Sequence, residues 1–317
     1  MTTARRAWDT VAMNYRHAFH AGNHADVLKH VVLLALLDAL RRKPTPFAVL
    51  DTHAGRGRYP LDSGEARRTA EAEAGVLRLM DVAFNSEAGK SGSSSTLASA
   101  ASASPAIARY CDALRALNPD GPLRMYPGSP WLAAHMLREQ DRLACCETQP
   151  IEAAALAALF SRDARVAVHE RDGYAAIKAL LPLKADSVPI ARGLVLIDPS
   201  YEAQEAEFDH AIAALKDGLA RWPQGVFALW YPIKRRRTLH GFLRRATLLQ
   251  SKNSWLAELL VRPDDSPLRM NGSGVLVLNP PWQVDVEIAA ALPILRDVLG
   301  ENGASFHLQW LRREDPN

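Results

Sequence analysis

The chain has 317 residues and a formal net charge of +3; 48% of its residues are hydrophobic and 23% are charged. This composition is typical of a globular protein with a sizeable core, and no uncharged apolar run is long enough to span a membrane. The three cysteines, Cys111, Cys145 and Cys146, form no Cys-x-x-Cys pair and indicate reduced thiols rather than a disulfide framework. The N-terminal region has no apolar signal core, so we expect a cytoplasmic protein.

Helices and strands are predicted to alternate along most of the chain. The first helix spans 24–43, where Asn23 can cap the beginning and Pro44 ends the pattern, and a buried strand follows at 47–51. Further strands are predicted at 142–147, 165–170, 193–198, 225–230, 255–261 and 275–278. Further helices are predicted at 131–139, 151–160, 174–181, 205–221 and 235–246. This alternation indicates an α/β protein with a doubly wound, mostly parallel sheet.

Residues 58–123 interrupt this alternation. Helical patterns at 62–84 and 105–117 flank a segment, about 86–104, that is dominated by Ser, Ala and Gly. Such a composition buries little apolar surface and predicts a flexible loop. We therefore expect one main domain, formed by 1–57 and 124–317, with a helical insertion at 58–123.

Acidic residues and glycines follow the first three predicted strands. The turn after the first strand contains Asp51, His53, Gly55 and Gly57, the next strand ends in Glu147, and the third is followed by Asp172-Gly173. Ligands of open α/β sheets bind beyond the carboxyl ends of the strands. The pattern favours a nucleoside ligand without a pyrophosphate, such as S-adenosylmethionine, although ordinary polar strand caps are the alternative.

The fourth strand ends in Asp198-Pro199-Ser200-Tyr201. The exocyclic amine of adenine is a poor nucleophile because its lone pair is delocalised into the ring. A carboxylate and a rigid carbonyl, those of Asp198 and Pro199, can each accept one of its N–H bonds, and Asp198 can also take the departing proton. Tyr201 is expected to stack on the extruded base. This motif predicts methyl transfer to an adenine amine.

A second motif, Asn279-Pro280-Pro281-Trp282, fits the same [Asp/Asn]-Pro-Pro-aromatic pattern. On local pattern alone it is the better match. Asp198, however, follows the cofactor strands in their usual order, whereas Asn279 comes two strands later. We therefore favour Asp198 as the catalytic residue and keep Asn279 as the alternative.

Several blocks of the sequence resemble one known family. They are Tyr15 to His30, Leu50 to Gly55, Tyr126 to Pro130, Arg138 to Asp141, Ala228 to Pro232 and Asn279 to Trp282. The chain resembles the bacterial 23S rRNA adenine-N6 methyltransferases of the RlmJ (formerly YhiR) type from about Asn14 to about Trp310. The resemblance implies a Rossmann-like methyltransferase with a small inserted helical subdomain. It also implies one target, adenine 2030 of 23S rRNA.

The resemblance further implies roles for individual residues. The cofactor residues would be His30, His53, Gly55, Ser129, Glu147, Asp172, Gly173 and Asp198. Asp198 would be the proton acceptor, and Tyr15 would contact the RNA with Lys29 nearby. One departure stands inside the motif: this chain has Ser200 where the family has proline. We expect a looser motif that keeps its activity, because the carbonyl of Pro199 is retained.

Histidines and basic residues are clustered elsewhere in the chain. His17, His20, His24 and His30 lie close together, but a turn interrupts them and methyl transfer needs no metal, so we favour contacts to cofactor or RNA, with His17 among the RNA contacts. The basic run 234–237 predicts contacts to an RNA backbone, with a solvated face as the alternative.

Taken with the resemblance, these patterns predict S-adenosylmethionine as cofactor and 23S rRNA as partner. No membrane or metal is expected, and the chain is expected to be a monomer. Two other functions remain open. A DNA adenine methyltransferase would require a base-reading module, and the small insertion is poor in the side chains for it. A non-catalytic RNA-binding relative is supported only by Ser200.

Overall fold

The computed structural model describes residues 17–85, 93–201, 204–267 and 270–314. The strands are β1 (Ala48–Asp51), β2 (Arg58–Pro60), β3 (Met125–Pro127), β4 (Arg142–Glu147), β5 (Val166–Glu170), β6 (Lys184–Ala185), β7 (Val188–Pro189), β8 (Gly193–Ile197), β9 (Val226–Ile233), β10 (Ser254–Leu260), β11 (Gly272–Leu278) and β12 (Ser305–Arg312). The α-helices are α1 (His24–Arg41), α2 (Gly64–Thr69), α3 (Arg78–Asn85), α4 (Ser93–Ala103), α5 (Pro105–Leu117), α6 (Ser129–Met136), α7 (Pro150–Leu159), α8 (Gly173–Leu180), α9 (Gln204–Arg221), α10 (His240–Ala246) and α11 (Val284–Leu299).

Eight of these strands form the central sheet, in the order β12-β10-β11-β9-β8-β1-β4-β5. The strands from β5 to β9 in this order are parallel, whereas β11 is antiparallel to both β9 and β10. The predicted doubly wound α/β fold is therefore confirmed. Because the carboxyl ends of the parallel strands meet at one edge, the residues that follow β1, β4, β5 and β8 lie next to one another.

Both faces of the sheet are covered, which explains the continuous apolar runs in the sequence. Val49 and Leu194 belong to a core cluster that also contains residues of α1, α5 and α11. Their neighbours Leu50 and Val195 point to the other face, into a cluster with residues of α8, α9 and α10. The period of two along each strand thus distributes the strand side chains between two cores.

Helix α1 is buried along most of its length and carries several residues of the site. Asn23 caps it as predicted: its side-chain oxygen accepts hydrogen bonds from the backbone N–H groups of Ala25 at 3.0 Å and Asp26 at 2.9 Å. The helix ends at Arg41, ahead of Pro44. This cap matters for function because it fixes the start of a helix whose residues Lys29 and His30 line the cavity described below.

The insertion differs from its prediction in two places. Residues 93–103 form helix α4 instead of a loop, whereas 86–92 lie outside the described residues. Alanine has the highest helix propensity, and the small side chains of Ala98 and Ala101 are buried where α4 packs against α3 and α11. The helix predicted at 62–84 is broken, because Ala70 adopts a left-handed conformation and a π-helical turn follows at 73–77.

The insertion is tied to the rest of the chain by backbone contacts. Strands β2 and β3 pair at its two ends. Val76 N–H donates to the carbonyl of Gly22 at 2.8 Å, and a Cβ on Gly75 would lie 2.1 Å from that oxygen, so only glycine fits there. Residues of α5 also share the core cluster of α1 and α11. Across the described ranges, no helix is both long and apolar enough for a membrane span.

Candidate functional site

A cavity of about 480 Å³ lies at the carboxyl ends of the parallel strands, between the β1 turn, α1 and the starts of α6 and α8. The structure brings most of the predicted site residues together along its walls: His17, Lys29, His30, His53, Gly55, Ser129, Glu147, Asp172, Gly173, Asp198 and Pro199. These residues are far apart in the sequence; the strand order brings together those that follow β1, β4, β5 and β8, and the packing of α1 and α6 adds the others. Tyr15, the predicted RNA contact, lies outside the described residues.

The turn after β1 is shaped by Glu147 at the end of β4. Gly55 has φ +59°, and its N–H donates to one carboxylate oxygen of Glu147 at 2.9 Å. The other oxygen accepts the N–H of Gln149 at 2.7 Å. Glu147 therefore holds two backbone segments and lines the cavity at the same time, where an acidic group suits the hydroxyls of a ribose.

The start of α8 approaches the β1 turn closely. A Cβ on Gly173 would lie 1.9 Å from the carbonyl oxygen of Thr52, so this position requires glycine. Asp172 caps the helix by accepting the N–H of Ala175 at 2.6 Å. His53 lies next to Tyr174, with ring centroids 5.1 Å apart, and burial lowers the pKa of His53 so that it is neutral at pH 7.

A buried row of alternating charges runs from Asp198 into α1. Lys29 Nζ lies 2.5 Å from Asp198 Oδ2 and 2.8 Å from Asp26 Oδ1, and Asp26 Oδ2 lies 3.1 Å from His17 Nε2. Burial alone would lower the pKa of Lys29, but the two carboxylates raise it above its ordinary value. Lys29 is only 5% exposed. It therefore faces the predicted proton acceptor rather than an open RNA-binding surface, unlike the expected role.

Asp51 was named among the acidic strand ends but was given no individual role, and it directly precedes the cavity residue Thr52. It ends β1 beside Ser129 and Asp198, is 1% exposed, and its Oδ2 atom has no hydrogen-bond partner among the described residues. Burial raises its pKa to about 7, and the nearby charge of Asp198 acts in the same direction. Its position before the glycine turn was the signal that could have identified it.

Tyr201 does not line the cavity, and its position contradicts the expected stacking on a base. Its side chain is buried, its hydroxyl donates to the carbonyl of Trp230 at 2.9 Å, and its ring packs against Trp230 and Phe208. The residue has φ +50°, which turns the chain away from the cavity after Ser200. Only Asp198, Pro199 and Ser200 of the motif reach the cavity walls.

Several further cavity residues were not predicted, among them Tyr174, Glu207 and His210. The Tyr174 hydroxyl donates to Glu207 Oε1 at 2.6 Å and thereby connects α8 to α9. Tyr174 directly follows Asp172-Gly173, and this proximity was the available signal. Glu207 and His210 lie on α9, and no sequence pattern distinguishes them from the other polar residues of that helix.

The alternative motif at Asn279 lies at the amino ends of the parallel strands, opposite the carboxyl ends at which Asp198 lies. It follows β11, which runs antiparallel to β9. The Asn279 side-chain amide donates to the carbonyls of Pro223 at 2.9 Å and Gly225 at 3.0 Å, and its oxygen accepts the N–H of Lys252. Asn279 therefore joins loops structurally and is excluded from the site around Asp198. Over the ranges described, no cluster of three or more His, Cys, Asp or Glu has a metal-binding arrangement.

The cavity fits S-adenosylmethionine in size and in polarity. Its volume lies within the range of about 300–1,000 Å³ for small-ligand sites. One buried polar atom of a lining residue, His30 Nε2, has no hydrogen-bond partner in the described chain. Buried polar atoms are nearly always paired, so this atom points to a polar ligand.

A parallel sheet with a glycine turn, acidic strand ends and an Asp-Pro motif around one such cavity defines a Rossmann-like methyltransferase. The family described as "Ribosomal RNA large subunit methyltransferase D, RlmJ" matches residues 44–312. Ribosomal RNA large subunit methyltransferase J of Haemophilus influenzae is 38% identical over 95% of this chain and 100% of its own length. Its Escherichia coli counterpart is 36% identical over 90% and 94% of the two chains.

A solved structure, that of a protein from Legionella pneumophila, has a TM-score of 0.76 at 32% identity and covers 92% of this chain and 98% of its own. The chain belongs to the RlmJ family of large-subunit ribosomal RNA methyltransferases. The resemblance found in the sequence is thereby confirmed, and so is S-adenosylmethionine as the cofactor.

Proposed function

We propose that the protein methylates the N6 amine of one adenine in 23S rRNA, adenine 2030 in the family, by direct transfer with Asp198 as the proton acceptor. The observation that carries this proposal is the arrangement of Asp198. Its Oδ2 atom is paired with Lys29 at 2.5 Å, which leaves Oδ1 to accept an amine N–H. The carbonyl of Pro199 follows directly along the same cavity wall.

Bound S-adenosylmethionine supplies a methyl group on a positively charged sulfur. Asp198 and the Pro199 carbonyl orient the amine so that its lone pair is free, and positioning of this kind accounts for much of the rate. As the N–C bond forms and the bond between the methyl carbon and the sulfur breaks, the sulfur is left as a neutral thioether and the amine proton passes to Asp198. His30, His53, Ser129, Glu147, Asp172 and Gly173 are the proposed cofactor contacts.

The location of the basic run 234–237 supports RNA as the substrate. It follows β9, which is parallel to β8, so it leaves the sheet at the same edge as Asp198. Lys234, Arg235 and Arg237 are exposed, as is Arg244 on α10. Phosphate contacts provide most of the affinity of such surfaces and make it sensitive to salt. We propose these side chains, together with His17 and Tyr15, as RNA contacts.

The deciding experiment measures transfer of a labelled methyl group to unmodified 23S rRNA and to DNA. The natural protein is expected to label the rRNA at one adenine, and Asp198→Ala is expected to abolish this. Labelling of DNA alone would instead identify a DNA methyltransferase. Activity in Ser200→Pro but not in the natural protein would identify a non-catalytic relative.

A further inference from the structure

A chain of three buried side chains connects the helical insertion to the cofactor cavity. The hydroxyls of Tyr110 on α5 and Tyr126 on β3 are 3.0 Å apart, and the Tyr126 hydroxyl lies 2.8 Å from His30 Nδ1. Each of the three residues is at most 1% exposed. His30 lines the cavity, and its other ring nitrogen, Nε2, has no partner in the described part of the chain.

The hydrogen bonds that join Tyr110, Tyr126 and His30 can run in only two directions, from Tyr110 towards His30 or from His30 towards Tyr110. The histidine is neutral at pH 7, because burial and the charge of Lys29 hold its pKa well below the ordinary value. Burial raises the pKa of both tyrosines, so both hydroxyls keep their protons. Each hydroxyl must therefore donate in one direction or the other along the chain.

Each direction leaves one proton without an acceptor among the described residues, and the two directions differ in where that proton lies. If Tyr110 donates to Tyr126 and Tyr126 donates to Nδ1, the ring proton of His30 lies on Nε2 and faces the cavity. In the reverse direction the Tyr110 proton has no acceptor among the described residues. A buried donor without an acceptor costs about 1–3 kcal/mol. Only the Nε2–H lies at the cavity, where a bound ligand can accept it, so the first direction is favoured.

We propose that Tyr126, backed by Tyr110, is a positioning residue that fixes His30 as the Nε2–H tautomer, so that His30 donates a hydrogen bond to the carboxylate of S-adenosylmethionine. A donor cannot pair with the cofactor ammonium, and the ribose hydroxyls are assigned above to Glu147. The inference rests on the proposed function only in its assignment of His30 as a cofactor contact.

The first test is the tautomer itself. Long-range ¹H–¹⁵N NMR spectra of the full-length protein distinguish a protonated ring nitrogen from an unprotonated one, and the His30 signal is assigned by its loss in His30→Gln. We expect protonated Nε2 and unprotonated Nδ1 in the natural protein, and both tautomers in Tyr126→Phe. A protonated Nδ1 in the natural protein would overturn the proposal.

The second test is cofactor affinity, measured by calorimetry without RNA. Tyr126→Phe is expected to weaken binding of S-adenosylmethionine at least twofold, because only the fraction of the protein with the Nε2–H tautomer binds it. Tyr110→Phe is the matched control, because it also removes a tyrosine hydroxyl, but one that is a further hydrogen bond away from His30. We expect it to change the affinity for S-adenosylmethionine less than twofold. Decarboxylated S-adenosylmethionine should bind Tyr126→Phe and the natural protein almost equally.

The assignment would be refuted if Tyr126→Phe and Tyr110→Phe lost the same affinity for S-adenosylmethionine. It would also be refuted if Tyr126→Phe lost the same affinity for S-adenosylmethionine and for its decarboxylated form. Because neither RNA nor methyl transfer enters these measurements, failure of the proposed rRNA activity would leave their outcome readable. Urea unfolding of both variants accompanies the binding data and excludes a loss caused by unfolding.

Discussion

Asp51 is expected to destabilise the ligand-free protein at neutral pH. Its carboxyl group is buried, and its pKa is raised from the ordinary value of 3.8 to about 7. A carboxyl group whose pKa is raised by folding costs no stability at pH values below its unfolded-state pKa. The cost grows as the pH rises towards the folded-state value and is constant above it. Replacing Asp51 by asparagine removes this cost, so Asp51→Asn should stabilise the protein, and more so at pH 8 than at pH 5.

The size of the effect follows from the pKa. Each tenfold change in a protonation equilibrium is worth about 1.4 kcal/mol, so the full cost at pH 8 is about 4 kcal/mol. Between pH 5 and pH 7 the cost grows over two pH units, so the advantage of the variant should increase by about 3 kcal/mol. Urea unfolding of both proteins at pH 5 and pH 8, without cofactor, measures this difference directly.

A matched control is available at Asp141. It is also fully buried, but Arg138 and the N–H of Phe47 satisfy its carboxylate. Asp141→Asn should therefore destabilise the protein at both pH values. The reasoning about Asp51 would be refuted if Asp51→Asn also destabilised the protein at pH 8, or if its effect did not change with pH.

Lys29→Met should reduce single-turnover methyl transfer at least tenfold and lower the free energy of unfolding by about 3 kcal/mol, because it leaves Asp198 without its buried cation; an unchanged rate would contradict this. Arg235→Ser should weaken RNA binding and flatten its dependence on salt in filter-binding assays without changing stability. Arg236→Ser is its control: Arg236 pairs at 2.8 Å with a fully buried carboxylate, so urea unfolding should show a loss of about 2–3 kcal/mol. Gly173→Ala should lower cofactor affinity in calorimetry, because its Cβ would collide with the β1 turn; normal affinity would show that the turn can move.

The sequence by itself determined seven of the eight strands of the central sheet and the location of the site, whereas the edge strand β12 was not predicted. Strands buried on both faces appear as continuous apolar runs, and their alternation with amphipathic helices allows few topologies other than a doubly wound sheet. Once this order is known, residues such as Glu147, Asp172 and Asp198 must meet, because parallel strands share one carboxyl edge. The cap at Asn23 was also readable, since it depends on residues two and three positions away.

Only the tertiary structure decided which of these side chains face the cavity and what they pair with. Tyr201 turns inwards because its hydroxyl donates a hydrogen bond to the carbonyl of Trp230, 29 positions away. Lys29 faces a carboxylate 169 positions along the chain. The proton on His30 depends on Tyr126, 96 positions away. Local sequence patterns report helix and strand periodicity, whereas these pairings depend on contacts that exist only after the sheet and the insertion have packed together.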